Sequence, residues 1–326
     1  MSATHALETL LVRALAGGVR TLPWERSLAL GERLGDLAHG LRLRRRVAED
    51  NLVHALPERS SAERAAILRA HYRELGRVVV EYARLAELAR APRGRVVAEV
   101  RGLEHLEAAR GRGAILLSGH FGNFELLGAT LGQMHPVDEI VRPLSNPGVE
   151  AILARERAHA GLTSISADRG IRRVFESLRA GRWVAMVGDQ DARRHGVFVP
   201  FLNRPASTAL GPARIALATG APIIMGFVTR DPGGRLLLDV EPPLEIQDPA
   251  AADAALRLTA LHTARLEARV RAHPEMWFWL HRRWKTKPPA EPAQVAAGTR
   301  SAAIARGAAP RFGGETAARG AGERVS

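Results

Sequence analysis

The chain has no cysteine among its 326 residues. That excludes a disulfide, a thiolate metal site and a cysteine nucleophile, and it fits a reducing compartment without requiring one. Aromatic residues are scarce at 5%, with two Tyr and eight Phe. Platforms for stacking bases are therefore lacking, no nucleic-acid motif occurs, and nucleic acid is not an expected partner. Long hydrophobic runs are absent too. Each apolar stretch is strand-sized and interrupted by charge, well short of the ~20 residues of a spanning helix. The N-terminus has no basic region leading into an apolar core and a small-residue cleavage site. No Walker loop, dinucleotide fingerprint or Gly-x-Ser-x-Gly elbow appears.

Acidic residues are outnumbered, 34 against 47 basic ones, for a formal charge of +13. Such a balance predicts attraction to something anionic: a membrane leaflet, an acidic carrier or a phosphorylated substrate. An Arg-rich composition would also produce it without any function. Hydrophobic residues make up 46%, ample for the core of one large domain or two small ones.

Residues 1–90 read as helical, with a possible role at a membrane surface. Leu7, Leu10, Leu11, Leu15 and Val19 recur at helical spacing, Pro23 breaks the pattern, and a second helix runs from Glu25 to Gly40. Arginines decorate both, so the pair either lies in a membrane interface or packs as a hairpin on the protein's own core. The basic cluster Arg42, Arg44, Arg45 and Arg46 follows. It meets lipid phosphates or is a solvated helix face. Ser61 to Ala89 is helical, with a serine cap at Ser60 or Ser61 and Glu63 in the first turn. Residues 91–287 then alternate strand and helix, which implies an α/β domain: a mixed central sheet with helices on both faces. Residues 288–326 are rich in Pro, Ala, Gly and Arg without apolar periodicity, the composition of a disordered tail.

The most informative stretch is Ser118 to Leu127, SGHFGNFELL. The buried-strand pattern Ala114–Leu117 leads into it, Gly119 and Gly122 break the run, and a helix begins at Phe124. His120 thus stands at a strand end, with Glu125 five residues on in the helix's first turn. A carboxylate at that spacing can accept the Nδ1 proton and leave Nε2 free as a base. A hydrogen-bonded structural pair would have the same spacing.

The second is Val187 to Pro205, VGDQDARRHGVFVPFLNRP. Asp189, Gln190 and Asp191 follow a strand directly, at the sheet edge where sites form. Only His195 joins the two aspartates at ligand spacing, so no metal is expected. They bind sugar hydroxyls or order Arg193 and Arg194. Val197–Phe201 lines an acyl groove or is ordinary core. Arg142 ends an apolar run and either clamps a phosphate or makes a structural ion pair. Trp277, Trp279 and Trp284 among His281, Arg282, Arg283 and Lys285 suit a membrane interface or a packed terminal strand.

His-x4-Asp/Glu is the first motif of the glycerolipid-type acyltransferases, and SGHFGNFELLG resembles the form found in bacterial lipid A biosynthesis (lauroyl and myristoyl) acyltransferases. RVAEDNLVHALP from Arg46, RPLSNP from Arg142, DQDARRHGVFVPFLNRPA from Asp189, TALGPARIALATGA from Thr208 and WFWLHRRWKTKP from Trp277 are similar to that family in the same order. The likeness spans about residues 5–288. It implies a glycerolipid acyltransferase-like fold and acyl transfer from acyl-carrier protein to a hydroxyl of a lipid A precursor, with no cofactor beyond the acyl donor. It implies His120 and Glu125 as the catalytic dyad, with no acyl-enzyme. Arg142, Asp189, Gln190, Asp191 and Asn123 are implied to bind the acceptor. Expected partners are the carrier protein, a phosphorylated glycolipid and an anionic membrane surface, at the cytoplasmic face of the inner membrane. Many members begin with a hydrophobic anchor, whereas residues 1–22 here are short and broken by Arg. Two alternatives stand beside this: a phosphatidylinositol-mannoside acyltransferase using acyl-CoA, and a non-catalytic membrane-surface binding protein.

Overall fold

A computed structural model describes residues 2–92 and 94–289. Among these residues the strands are β1 (Val97–Arg101), β2 (Ala114–Ser118), β3 (Val137–Val141), β4 (Leu162–Ser166), β5 (Trp183–Val187), β6 (Val197–Phe201), β7 (Arg204–Thr208), β8 (Ile223–Arg230) and β9 (Leu236–Val240). Seven form one sheet in the order β1-β9-β8-β2-β5-β3-β4, while β6 and β7 pair as a separate hairpin. Strands β8, β2, β5, β3 and β4 run parallel, and β9 turns back antiparallel on β8. The sheet is mixed, as expected. Its middle strand β2 is buried along its whole length. A run of consecutive apolar residues is what a strand covered on both faces requires.

The helices are α1 (Ala3–Arg20), α2 (Trp24–Gly40), α3 (Arg45–Ala55), α4 (Ser61–Tyr82), α5 (Leu85–Ala89), α6 (Leu103–Glu107), α7 (Phe124–Gly132), α8 (Pro147–His159), α9 (Ile171–Arg179), α10 (Gly211–Thr219) and α11 (Ala254–Ala272). Two apolar clusters cover the two faces of the sheet. Leu116, Ile224 and Trp183 pack with Leu126, Leu127 and Leu131 of α7. Ile115, Val184 and Ile223 pack on the opposite face with residues of α9, α10 and α11. The period-two side-chain alternation of each strand feeds both layers.

Ser60 caps α4, with Glu63 completing a reciprocal capping box. The helix expected to run to Ala89 stops at Tyr82 and resumes as α5. Helix α2 crosses α4 closely: a Cβ on Gly76 would lie 1.9 Å from the Gly31 carbonyl oxygen. The first two helices pack on the rest of the protein, the second of the two expectations for them. Thr9 of α1 donates to Asn146 at the start of α8, while Leu7, Leu10 and Leu11 stay exposed. Among the described residues no helix is long and apolar enough to cross a membrane.

The C-terminal aromatic cluster is packed, as one of the two expectations had it, but not as a strand. Trp277, Trp279 and Trp284 are buried; Trp277 meets Trp279, Trp284 and Phe201 edge-on, and Trp284 stacks on Phe201. Mutual burial of indoles outweighs the pull of the neighbouring charges. Val197–Phe201 is the first strand of the hairpin, with Val199 and Phe201 in the core. The tail expected over 288–326 lies outside the described residues from 290 onward.

Candidate active site

His120 and Asp189 occupy equivalent places on neighbouring strands. Ser118, which ends β2, is in register with Val187, which ends β5. Each functional side chain comes two residues later, so the sheet itself brings the two together. Asp189 Oδ1 accepts the His120 Nδ1 proton at 2.7 Å. Its Oδ2 accepts the His120 backbone N–H and the Trp277 Nε1–H, both at 2.8 Å. The turn is clamped from outside as well. The Phe278 N–H donates to the His120 carbonyl, and the Gly122 N–H to the Met276 carbonyl. Gly122 has φ +54°, and a Cβ there would meet the Val228 carbonyl at 2.5 Å, so only glycine fits.

With Nδ1 donating, Nε2 is unprotonated and accepts from the NH2 of the exposed Gln190 at 3.2 Å, a bond that an acceptor hydroxyl would replace. The imidazole side chain is 25% exposed while Asp189 is 3% exposed. Burial disfavours the imidazolium, but the charge and hydrogen bond of Asp189, with the charge of Glu125 behind them, raise His120 above its ordinary value. Burial would also raise Asp189. The His120 charge, with donors from His120 and Trp277, outweighs it and holds the carboxyl down to about 2.

The hydrogen bond expected between His120 and Glu125 is not made. Glu125 sits in the first turn of α7, facing Arg157 of α8 instead. Arg157 Nη2 donates to Glu125 at 2.8 Å, and its Nε lies 3.0 Å from Glu139 of β3. The guanidinium also lies over the Tyr82 ring. Burial, with the Glu125 charge beside it, raises the Glu139 carboxyl to about 8, against the pull of Arg157. So Glu125 acts on the imidazole through its charge, and Asp189 through a bond.

A narrow apolar cavity lies between α7 and the sheet. Leu116, Ala185, Ile224 and Leu127 line it, and Glu125 and Glu139 form a polar patch in its wall. Ala185 is the small residue in the row Ile224–Leu116–Ala185–Glu139 across the sheet, and that leaves room. Phe124 lines the same cavity and meets the His120 ring edge-on at 5.1 Å. Phe124 thus stands between the cavity and the imidazole.

The other expected acceptor-binding residues divide. Arg142 is 76% exposed at the end of β3 and only loosely paired, 3.9 Å from Asp168, so it is available to a ligand. Asn123 is not. It is fully buried, caps α7 through Leu126 N–H and donates to Glu81. Asp191 is only partly engaged: its N–H donates to His281 and Oδ2 accepts from Thr286, while Oδ1 is buried without a partner among the described residues. Trp277, Arg157 and Glu139 were not singled out for this site. Trp277 was visible only as part of an aromatic cluster, and the other two lie on ordinary helix and strand patterns.

A histidine held by a buried carboxylate at the carboxyl ends of parallel strands, beside an apolar cavity, defines an α/β enzyme equipped to act on a lipophilic substrate. The chain belongs to the bacterial lipid A biosynthesis acyltransferase family, whose sequence pattern matches residues 2–286. It is accordingly an O-acyltransferase. It is 29% identical to the lipid A biosynthesis palmitoleoyltransferase of Escherichia coli K12 over 83% of this chain and 88% of that one. It is 28% identical to the lipid A biosynthesis lauroyltransferase of the same organism, over 84% and 90%. It is also 32% identical to the phosphatidylinositol mannoside acyltransferase of Mycobacterium tuberculosis, over 56% of this chain and 58% of that one.

Proposed function

We propose that the protein transfers a fatty acyl chain from acyl-carrier protein to a hydroxyl of a lipid A precursor, with His120 as general base. The supporting observation is the hydrogen bond from His120 Nδ1 to Asp189, which fixes the tautomer and leaves Nε2 unprotonated at the open side. Nε2 takes the proton of the acceptor hydroxyl as its oxygen attacks the thioester carbonyl. The C–O bond forms, the C–S bond breaks, and the leaving thiolate takes the proton back from the imidazolium. No acyl-enzyme is needed. The acyl chain lies in the cavity beside Phe124, and Arg142 meets an acceptor phosphate. General-base assistance of this kind is worth about 10²–10⁴-fold.

The exposed leucines of α1 and the basic surface support peripheral attachment to an anionic leaflet at the cytoplasmic face. The likeness to the mannoside acyltransferase favours a second acceptor class, with acyl-CoA as donor. Mass spectrometry of membrane lipids with and without the protein separates these. The expected outcome is a mass increase of one acyl group on a disaccharide precursor. An increase on a mannoside would move the acceptor, and none on any lipid would refute transfer. His120→Ala is expected to abolish the increase while the fold and membrane association persist. Full transfer by that variant would remove the base, and failure of the native protein to sediment with anionic vesicles would refute the attachment.

A further inference from the structure

Many arginines among the described residues make no salt bridge, and three of these gather with two lysines in one place. Arg46 of α3, Arg204 at the start of β7, and Arg282, Lys285 and Lys287 of the C-terminal segment line a single open groove of about 1000 Å³. Among the described residues none of these five cations makes a salt bridge. Asp50 is the acid in the groove, and His54 stands beside it. Neighbouring Arg45, by contrast, is paired with Glu49. Five like charges converging on one concavity repel each other, so the arrangement is costly unless an anion completes it.

The groove is tied to the catalytic turn. Asn51 in its floor donates to the Trp279 and His281 carbonyls at 2.8 and 2.7 Å. The segment carrying three of the cations is pinned to the loop after β5 by two bonds to Asp191, from its N–H to His281 and from Thr286 to its carboxylate. Asp191 is two residues from Asp189, the partner of His120. The wall of the groove and the loop that carries Asp189 are thus tied together.

We propose that this groove binds the phosphate group of one of the two substrates and anchors it at the mouth of the active site. This rests on the acyl-transfer function proposed above. Both substrates carry the chemistry: the phosphopantetheine arm of a carrier-linked donor and the sugar phosphates of the acceptor. A concave pocket with cations on several walls suits a compact phosphate better than a flat bilayer. Lysine and arginine together supply point charges and forked donors for it.

The test is the triple variant Arg282→Gln/Lys285→Gln/Lys287→Gln in the full chain. A control, Arg59→Gln/Arg172→Gln/Arg257→Gln, removes the same charge from exposed helical pairs elsewhere. Transfer is measured with acceptor in neutral detergent micelles. The KM of one substrate is expected to rise at least about tenfold, as for the loss of one charge-assisted bond, with kcat kept within twofold. A rise for the donor identifies the phosphopantetheine, and a rise for the acceptor the sugar phosphate. Unchanged KM values for both, or the same rise in the control, overturns the proposal. So does weakened sedimentation with phosphatidylglycerol vesicles while both micellar KM values stay put, since the groove would then be a membrane contact. Calorimetric titration with inorganic pyrophosphate needs no turnover. Binding by the native protein and not by the triple variant supports the site even if transfer fails. No binding to the native protein refutes it independently of the transfer reaction.

Discussion

Replacing Asp189 by asparagine isolates the interaction on which the proposed chemistry turns. Oδ2 accepts two N–H donors, from the His120 backbone and Trp277, while Oδ1 accepts only the His120 Nδ1 proton. In Asp189→Asn the amide oxygen stays where two donors converge, so the NH2 takes the place of Oδ1. It faces Nδ1 as a donor. The imidazole must then shift its proton to Nε2, and the outward nitrogen ceases to be a base. The expected loss is about 10²–10⁴ in kcat, or ~2.7–5.5 kcal/mol at 1.36 kcal/mol per decade. The pH dependence should change with it. Asp189 raises His120 above its ordinary value, so native activity rises with pH through an apparent value above ~6.5. In the variant that limb moves to lower pH. Initial transfer rates between pH 6 and 9, with thermal unfolding run in parallel, measure both effects. A kcat within about threefold of native, or an unmoved limb in a folded variant, would refute the tautomer mechanism.

Glu125→Ala should act on stability, because it strips Arg157 of a buried partner. Glu139 and Glu150 remain beside Arg157, so the cost is expected below the ~3–5 kcal/mol of an uncompensated buried charge; it is read as a fall in Tm, and an unchanged Tm would mean that Glu125 adds nothing to the cluster's stability. Glu139→Gln mimics the protonated acid. Since burial raises the folded carboxyl to about 8 from an ordinary ~4.3, the native protein is most stable below the lower value and loses stability as pH rises through the upper one. The variant's Tm should therefore fall less between pH 6 and 9, and parallel curves would count against a proton on Glu139. Ala185→Leu adds bulk to the cavity lining and should shift transfer toward shorter chains, read as product mass from a mixture of donors. Uniform loss across all lengths would argue that the acyl chain lies elsewhere.

The strand–turn–helix around His120 was legible because every step has a local cause: an apolar run, two glycines, then an asparagine that caps the helix. Strands β5 and β9 and helix α11 were legible in the same way from periodicity. The partner of His120 was not. Glu125 is near in sequence, yet the first turn of α7 carries it round toward α8. Asp189 is 69 residues from His120, and its place depends on β5 lying beside β2. Strand order is decided by how the helices pack, and a single sequence carries no direct trace of it. The available hint was that DQD follows its strand at the same distance as His120 follows its own. Asn123 illustrates the opposite failure, because a polar residue beside a catalytic motif was spent on capping the helix. The tryptophans left both a wet and a packed reading open because of the arginines interleaved with them, yet Arg283 is itself buried, bonded to Ser207 and Thr208.

The clamp from Met276 and Phe278 onto the His120 turn sets a limit on where the gene can be shortened. A stop codon placed just after α11 would leave the whole sheet encoded, yet strip the backbone partners of a turn more than 150 positions upstream. Such a product should appear in cells as a folded but inert polypeptide, or be cleared by proteases, and expression boundaries belong beyond residue 288.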